Sequence, residues 1–258
     1  MSKNQIHLWV AYPGDLKDEA TALTCARLLN QDERARLQRF KFERHRHEHL
    51  ATRALQRSTL SAYVEVAREA WRFEEGKHGR PSTMQAPGLK FNLSNSLGLV
   101  VCAVSHGPEI GVDVEPYARA GTIEEVAERF FSARELEQLE PLHGEERRER
   151  ALTLWTLKEA YMKARGLGMA LPTRLFSFVF EDGGGVRLEI DAEANDVPER
   201  WQFCTLDHAQ HRIALIVESD AAPELEVWET RPILAAPARL HIGEVKWYPD
   251  PPGRRRNG

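Results

Sequence analysis

The segment GVDVEP, residues 111–116, limits the possible folds of this chain more than any other part of the sequence. Its alternation of apolar and acidic residues predicts a β-strand, because successive side chains of a strand point to opposite faces. Val112 and Val114 then lie on one face, and Asp113 and Glu115 lie together on the other. The strand therefore presents two carboxylates on the same side.

A second segment, WTLKEAYMKARGLG at residues 155–168, has the residue pattern of a helix. Glu159 and Lys163 are four residues apart in it, so they share one helix face. If this helix lies over the end of the acidic strand, Glu159 joins the two strand carboxylates, and Lys158 and Lys163 stand at the rim. A hard divalent cation bound to a phosphate chain needs a set of oxygen ligands of this kind.

Length and composition set the outer limits. The 258 residues suffice for one large domain or two of ordinary size, and a hydrophobic content of 42% suffices for a sizeable core. A formal charge of −4 gives no global field that favours nucleic acid or a membrane surface. Cys25, Cys102 and Cys204 form no CxxC pair, so we expect buried thiols in a reducing compartment. With no signal-peptide core and no apolar run of membrane-spanning length, we expect a cytoplasmic protein.

The order of predicted elements is mixed α and β. Apolar spacing predicts helices near residues 17–29, 32–40 and 44–62, and strands near 6–11, 89–93, 98–105, 109–114, 176–181, 186–190, 201–206 and 213–217. Capping boxes at Thr122 with Glu125 and at Ser132 with Glu135 predict two further helix starts. We therefore divide the chain into two α+β halves, residues 1–115 and 116–247, and a disordered tail at 248–258.

Four short segments in order carry a family resemblance: GKHGRP at residues 76–81, FNLSNS at 91–96, and the strand and helix segments above. Together they resemble the 4′-phosphopantetheinyl transferases of the long, surfactin-synthetase-activating type, over roughly residues 30–180. The resemblance implies a pseudo-dimer of two similar α+β halves with the active site in the cleft between them. It also implies transfer of the 4′-phosphopantetheine arm from coenzyme A to a serine of an acyl or peptidyl carrier protein.

The resemblance gives the acidic residues and lysines specific roles. It implies Mg²⁺ ligands at Asp113, Glu115 and Glu159, with Glu159 also a candidate to take the proton of the attacking hydroxyl. Lys158 and Lys163 would face the pyrophosphate, so the catalytic set is Glu159, Lys163 and Asp113. Without the resemblance, the same residues fit an exposed strand face beside a turn, an ordinary Glu–Lys helix pair and solvated lysines.

The basic stretch from residue 34 to residue 57 admits three interpretations: a solvated helix, a nucleic-acid surface, or a site for the 3′-phosphate and adenine of coenzyme A. The near-neutral charge argues against nucleic acid. The HRHEH string at residues 45–49 offers no second cluster for zinc. By resemblance, Arg53 and Arg36 contact the coenzyme, and the planar guanidinium suits phosphate oxygens. In the loop, Arg80 stands where the family usually has lysine near the 3′-phosphate, and Lys77 is a further candidate.

FNLSNS departs from the commonest family pattern at Asn95, where histidine is frequent. An amide still donates a hydrogen bond but carries no charge, so phosphate binding would depend more on Arg53 and Arg80. Ser94 keeps a hydroxyl donor beside it. Glu135 is fully explained as a capping-box residue and is not assigned a catalytic role.

The resulting hypothesis is a Mg²⁺-dependent transferase that is monomeric, accepts carrier proteins broadly and releases adenosine 3′,5′-bisphosphate. A protein that binds coenzyme A or the carrier without catalysis would have the same fold and the same basic pocket. A nucleic-acid-binding protein that uses the basic stretch is a third class, and salt-sensitive binding to DNA or RNA without affinity for coenzyme A would identify it.

Overall fold

Helices alternate with mostly antiparallel strands in the structure, a computed structural model that describes residues 4–231, 233–243 and 245–249. The helices in this part of the chain are α1 (Glu19–Arg27), α2 (Gln31–Arg39), α3 (Glu43–Leu60), α4 (Ala120–Glu125), α5 (Ala127–Phe130), α6 (Ala133–Leu139) and α7 (Gly144–Ala164). The strands are β1 (Gln5–Ala11), β2 (Glu74–Glu75), β3 (Pro81–Ser82), β4 (Leu89–Ser96), β5 (Leu99–His106), β6 (Ile110–Pro116), β7 (Phe176–Phe180), β8 (Val186–Ile190), β9 (Trp201–His208), β10 (His211–Glu218), β11 (Glu224–Glu229), β12 (Ala238–Leu240) and β13 (Trp247–Tyr248).

Side-chain caps fix several helix starts. Asn30 and Glu33 form a capping box that begins α2, and Ser132 and Glu135 form the predicted one that begins α6. The prediction of a capping box at Thr122 is wrong, because α4 begins two residues earlier and has no side-chain cap. The first three helices begin and end within two residues of the bounds predicted from apolar spacing.

Two sheets organise the fold. The first has the strand order β12-β11-β1-β5-β4, in which β1 pairs parallel with β11 and antiparallel with β5. The second has the order β13-β9-β10-β6 and is antiparallel throughout. Each sheet has one long helix beside it, α3 for the first and α7 for the second, and each combination has its own apolar core. The chain is therefore an α+β protein of two halves, as predicted.

A third apolar cluster joins the two halves. Ile6, Leu8 and Val10 of β1 pack in it against side chains of β6, β9 and β10, among them Val112 and Val114. The predicted alternation of the acidic strand is thereby confirmed: its valines enter the core between the sheets, and its carboxylates lie on the face that contacts α7.

Strand pairing crosses the predicted boundary at residue 115. Strand β6 belongs to the second sheet although all of it except Pro116 precedes the boundary, and β11 and β12 belong to the first sheet although they follow it. Tyr248, placed by the sequence at the start of the tail, pairs with Phe203 at the end of β13. The remainder of the predicted tail, residues 250–258, lies outside the described residues. The division into residues 1–115 and 116–247 stays a prediction for independent folding units.

All three cysteines are buried as free thiols, as expected. Between residues 4 and 249, with residues 232 and 244 left out, the structure contains no helix long and apolar enough to cross a membrane.

Candidate active site

Gly111 allows α7 to lie unusually close to β6. A Cβ atom at this position would stand 2.1 Å from the carbonyl oxygen of Ala160 and 2.5 Å from the backbone nitrogen of Ala164. Atoms cannot approach that closely, so only glycine permits the contact. The close approach brings the end of α7 over the acidic face of the strand.

Asp113 is the centre of a buried polar cluster. Lys163 Nζ donates to Asp113 Oδ1 at 2.7 Å, and Ser94 Oγ donates to the same oxygen at 2.9 Å. Lys163 Nζ also donates to Ser94 Oγ at 2.9 Å, which closes a triangle of three hydrogen bonds. Asp113 is only 4% exposed, and its second oxygen, Oδ2, is buried without a hydrogen-bond partner among the described residues. The cluster thus contains an acceptor that a cation could use.

Glu115 is held by three donors of different kinds. Arg119 Nη1 donates to its Oε1 at 2.6 Å, Trp155 Nε1 donates to the same oxygen at 3.2 Å, and Ser96 Oγ donates to Oε2 at 3.2 Å. Arg119 and Ser96 were not among the site residues predicted from the sequence. The period of two in FNLSNS contains a signal for Ser96, because it places Ser94 and Ser96 on one face of β4.

Glu159 lies half-buried next to the two strand carboxylates. Burial raises its pKa, repulsion from Asp113 adds to this increase, and Lys163 opposes it. Burial and repulsion from Asp113 likewise raise the pKa of Glu115, against the effect of Arg119. Both glutamates therefore share an electrostatic environment with Asp113, in which the positive charges of Lys163 and Arg119 only partly offset burial and repulsion.

The carboxylates are not arranged as a finished metal site. Within the described residues, no three His, Cys, Asp or Glu side chains are grouped closely enough to hold an ion. The donor chemistry nevertheless fits a hard divalent cation, since all three candidates are carboxylates, two have raised pKa values and Asp113 Oδ2 lacks a partner.

The position of Lys158 does not support its predicted contact with the pyrophosphate. It is 2% exposed, and its ammonium donates to Glu135 Oε2 at 2.7 Å and to the carbonyl oxygens of Thr173 and Phe176, each at 2.8 Å. An ammonium has three donors, and these bonds use all of them. Lys158 therefore fixes α7 to the second half of the protein, on a different side of the helix from Lys163.

The loop candidates Lys77 and Arg80 line an open pocket of about 440 Å³ beside the end of α7. Arg80 donates to the carbonyl oxygens of Ala164 at 3.1 Å and Ile110 at 3.3 Å, so it connects the loop to both site elements. Lys90 and Glu109, which were not among the predicted site residues, also line this pocket.

The candidates on α2 and α3 lie around Glu33. Arg53 pairs with Glu33 at 3.5 Å and donates to Gln56 at 3.1 Å, while Arg57 pairs with Glu33 at 2.7 Å. Arg36 is exposed on α2 and lines a separate shallow groove. Asn95 is exposed, and no partner for its side-chain amide occurs within the described ranges.

Comparison with known proteins identifies the family. A sequence profile described as the 4′-phosphopantetheinyl transferase superfamily matches residues 109–216, and one described as 4′-phosphopantetheinyl transferase, N-terminal, matches residues 17–107. The 4′-phosphopantetheinyl transferase HetI of Nostoc sp. is 38% identical over 170 residues, which are 65% of this chain and 71% of HetI. The chain belongs to the 4′-phosphopantetheinyl transferase superfamily.

Further relatives place this phosphopantetheinyl transferase with the long type. The transferase Sfp of Bacillus subtilis is 30% identical over 63% of this chain and 71% of its own length, and psf-1 of Bacillus pumilus is 31% identical over 75% and 80%. A crystal structure of a holo-(acyl-carrier-protein) synthase from Bacillus anthracis, in complex with CoA (3′,5′-ADP), matches 44% of this chain and 96% of its own at 20% identity, with a TM-score of 0.37. The sequence profiles and the sequence relatives confirm the predicted family and enzyme class.

Proposed function

We propose that this phosphopantetheinyl transferase moves the 4′-phosphopantetheine arm of coenzyme A to a serine hydroxyl of an acyl or peptidyl carrier protein. The serine oxygen bonds to the β-phosphorus, the bond from that phosphorus to the bridging oxygen breaks, and adenosine 3′,5′-bisphosphate leaves. The observation that carries the proposal is the ion pair between Lys163 and Asp113, whose atoms are 2.7 Å apart. Ser94 is hydrogen-bonded to both side chains, and Glu159 lies next to them. Phosphoryl transfer depends on the positioning of the substrates and on stabilisation of negative charge, and a fixed ammonium next to several carboxylates can provide both.

Lys163 supplies positive charge to the pyrophosphate. Its side chain is 27% exposed, so the ammonium reaches both the buried Asp113 and the open face of the site. Ser94 and Asp113 fix the position of this ammonium before the substrate arrives, and a fixed charge requires no rearrangement during the reaction. Ser94 is thus a positioning residue here, in addition to the phosphate contact that the resemblance implies.

Glu159 is the proposed acceptor of the serine proton. A general base works best when its pKa lies near the operating pH, and burial together with Asp113 moves the pKa of Glu159 upward, in that direction. Its half-buried position leaves the carboxylate accessible to a hydroxyl from a partner protein.

Asp113, Glu115 and Glu159 would hold Mg²⁺. When bound, the ion offsets the negative charge that develops on the pyrophosphate oxygens. The unpartnered Asp113 Oδ2 and the raised pKa values of the two glutamates support this assignment. For coenzyme A, we assign the phosphate and adenine end to the pocket at Lys77 and Arg80, with Arg53, Arg36 and Asn95 as further candidates. We also propose, by analogy with long-type transferases, that the protein works as a monomer in the cytoplasm.

Metal dependence provides the test. Enzyme treated with a chelator should lose transfer of the arm to an apo carrier protein, and added Mg²⁺ should restore it. Replacing Asp113 by Asn keeps the size of the side chain, and we expect it to lower kcat by about 10²–10³ while coenzyme A still binds. Transfer that persists in the chelator, or an Asp113→Asn variant with an unchanged rate, would contradict the metal assignment.

A further inference from the structure

An acidic residue lies among the cations of the loop pocket. The charged side chains lining the pocket are Lys77, Arg80, Lys90 and Glu109, so the pocket keeps an excess of positive charge in spite of the glutamate. A carboxylate in a site for phosphate groups repels the ligand, so its presence in this pocket needs another explanation. The contacts of Glu109 with the neighbouring cations provide that explanation.

Glu109 bridges two of the cations. Its Oε2 accepts from Arg80 Nη1 at 2.8 Å, and its Oε1 accepts from Lys90 Nζ at 2.6 Å. Burial alone would raise the pKa of Glu109, but Lys90 and Arg80 together lower it, so the carboxylate is ionised at neutral pH. One carboxylate thus holds an ammonium and a guanidinium next to each other.

The two cations depend on Glu109 to different degrees. Arg80 has two further anchors, the carbonyl oxygens of Ala164 and Ile110, so it stays in place without the glutamate. Lys90 is 41% exposed, and Glu109 is its only ion-pair partner in the described part of the chain. A lysine side chain has four flexible bonds, and it loses conformational entropy whenever it is fixed. Glu109 therefore fixes Lys90 in advance, and the ligand does not have to order it.

We propose that Lys90 binds the same phosphate group as Arg80, and that Glu109 is the positioning residue that holds the two cations together. The ligand chemistry is a terminal phosphomonoester, because a dianion balances the excess of positive charge that Lys77, Arg80 and Lys90 leave after Glu109 is counted. This proposal rests on the proposed function, in which that phosphomonoester is the 3′-phosphate of coenzyme A. The N–H groups of Lys90 and Arg80 that have no partner within the residues the structure describes donate to the oxygens of this phosphate, while Glu109 stays bonded to both cations.

Binding of adenosine 3′,5′-bisphosphate and of adenosine 5′-monophosphate tests this, because the two ligands differ only in the 3′-phosphate. Titration calorimetry on the 258-residue chain gives the preference for the bisphosphate over the monophosphate as a ratio of Kd values. We expect Lys90→Met to lower this preference by about 10-fold, and Glu109→Gln by about 3-fold. Lys90→Arg, which keeps the charge, should retain it. Glu137→Gln, which breaks an exposed pair with Arg134, is the matched control and should change nothing.

The double variant separates positioning from an independent contact. If Glu109 acts through Lys90, the double variant Lys90→Met/Glu109→Gln should prefer the bisphosphate over the monophosphate by the same ratio as Lys90→Met alone, within about twofold. Tighter binding of the bisphosphate by Glu109→Gln, multiplied effects in the double variant, or equal losses with both nucleotides would overturn the proposal. These binding ratios need no carrier protein. Absent transfer by the wild-type protein would therefore contradict the proposed function, while the ratios would still decide on Lys90 and Glu109.

Discussion

The contact between α7 and β6 at Gly111 leads to a sharp prediction for Gly111→Ala. The added methyl group would stand 2.1 Å from the Ala160 carbonyl oxygen, whereas ordinary contacts begin at 3.4 Å. The helix must therefore move away from the strand by about 1 Å, because the obstacles are backbone atoms and cannot rotate away. The end of the helix that carries Glu159 and Lys163 moves with it.

Two consequences of different size follow. Overpacking of this kind costs about 1–3 kcal/mol of the free energy of unfolding. Catalysis suffers more, because a displacement of about 1 Å at reacting groups can reduce the rate about 100-fold. We therefore expect Gly111→Ala to stay folded, with a lower urea midpoint, and to lose nearly all transfer activity at saturating coenzyme A.

Urea unfolding and steady-state transfer kinetics measure the two effects separately. Gly121→Ala is the matched control, since no atom lies within 4 Å of the added methyl group and Gly121 is in helix α4. That variant should keep its activity and become more stable by about 0.5–1 kcal/mol. If Gly111→Ala had the stability and kcat of the wild type, the close approach would not position the site.

Further substitutions test the separate roles of the site residues. Lys158→Met should cost about 3–5 kcal/mol of unfolding free energy in urea titrations, because it leaves Glu135 buried without its partner. Lys163→Met should abolish transfer at a smaller cost in stability, because the Lys163 ammonium is partly exposed to solvent and its ion pair with Asp113 is therefore weaker. A Lys158→Met variant that is as stable as the wild type but binds coenzyme A poorly would instead support the predicted contact of Lys158 with the pyrophosphate. For Glu159, the pKa is raised in the folded protein, so the folded state binds a proton at higher pH than the unfolded chain does. Stability of the metal-free protein should then increase as the pH falls from that raised pKa towards the ordinary value of 4.5, and Glu159→Gln should remove this contribution. An identical pH profile of melting temperature for both proteins would contradict the assignment. Arg53→Ala should raise the KM for coenzyme A more than the KM for dephospho-coenzyme A, and equal increases would exclude a role at the 3′-phosphate.

The acidic strand and the site helix could be predicted because their signals are local. Alternation by two places Val112 in the core and Asp113 on the opposite face, and a spacing of four places Glu159 and Lys163 on one helix face. The helical spacing also carries a signal for the direction of the Lys158 side chain. Lys158 precedes Glu159 by one residue, so it points about 100° away around the helix, into the second core.

Contacts between distant segments could not be predicted from local patterns. The parallel pairing of β1 with β11 joins residues more than 200 positions apart, and no periodicity within either strand specifies its partner. Glu109 and Lys90 likewise meet only because β4 and the residue before β6 are adjacent in the fold. The role of Glu109 depends on tertiary structure, since a single glutamate before a strand carries no signal by itself.

Intact-mass analysis of an apo acyl or peptidyl carrier protein shows directly whether this protein transfers the 4′-phosphopantetheine arm. The carrier is incubated with this protein, coenzyme A and Mg²⁺, and a parallel sample contains EDTA. We expect a gain of about 340 Da on the carrier, the mass of the transferred arm in the phosphoryl-transfer scheme, and no gain with EDTA. An unchanged carrier mass with several carriers, despite measurable binding of coenzyme A, would contradict the transferase activity and indicate a binding protein without catalysis.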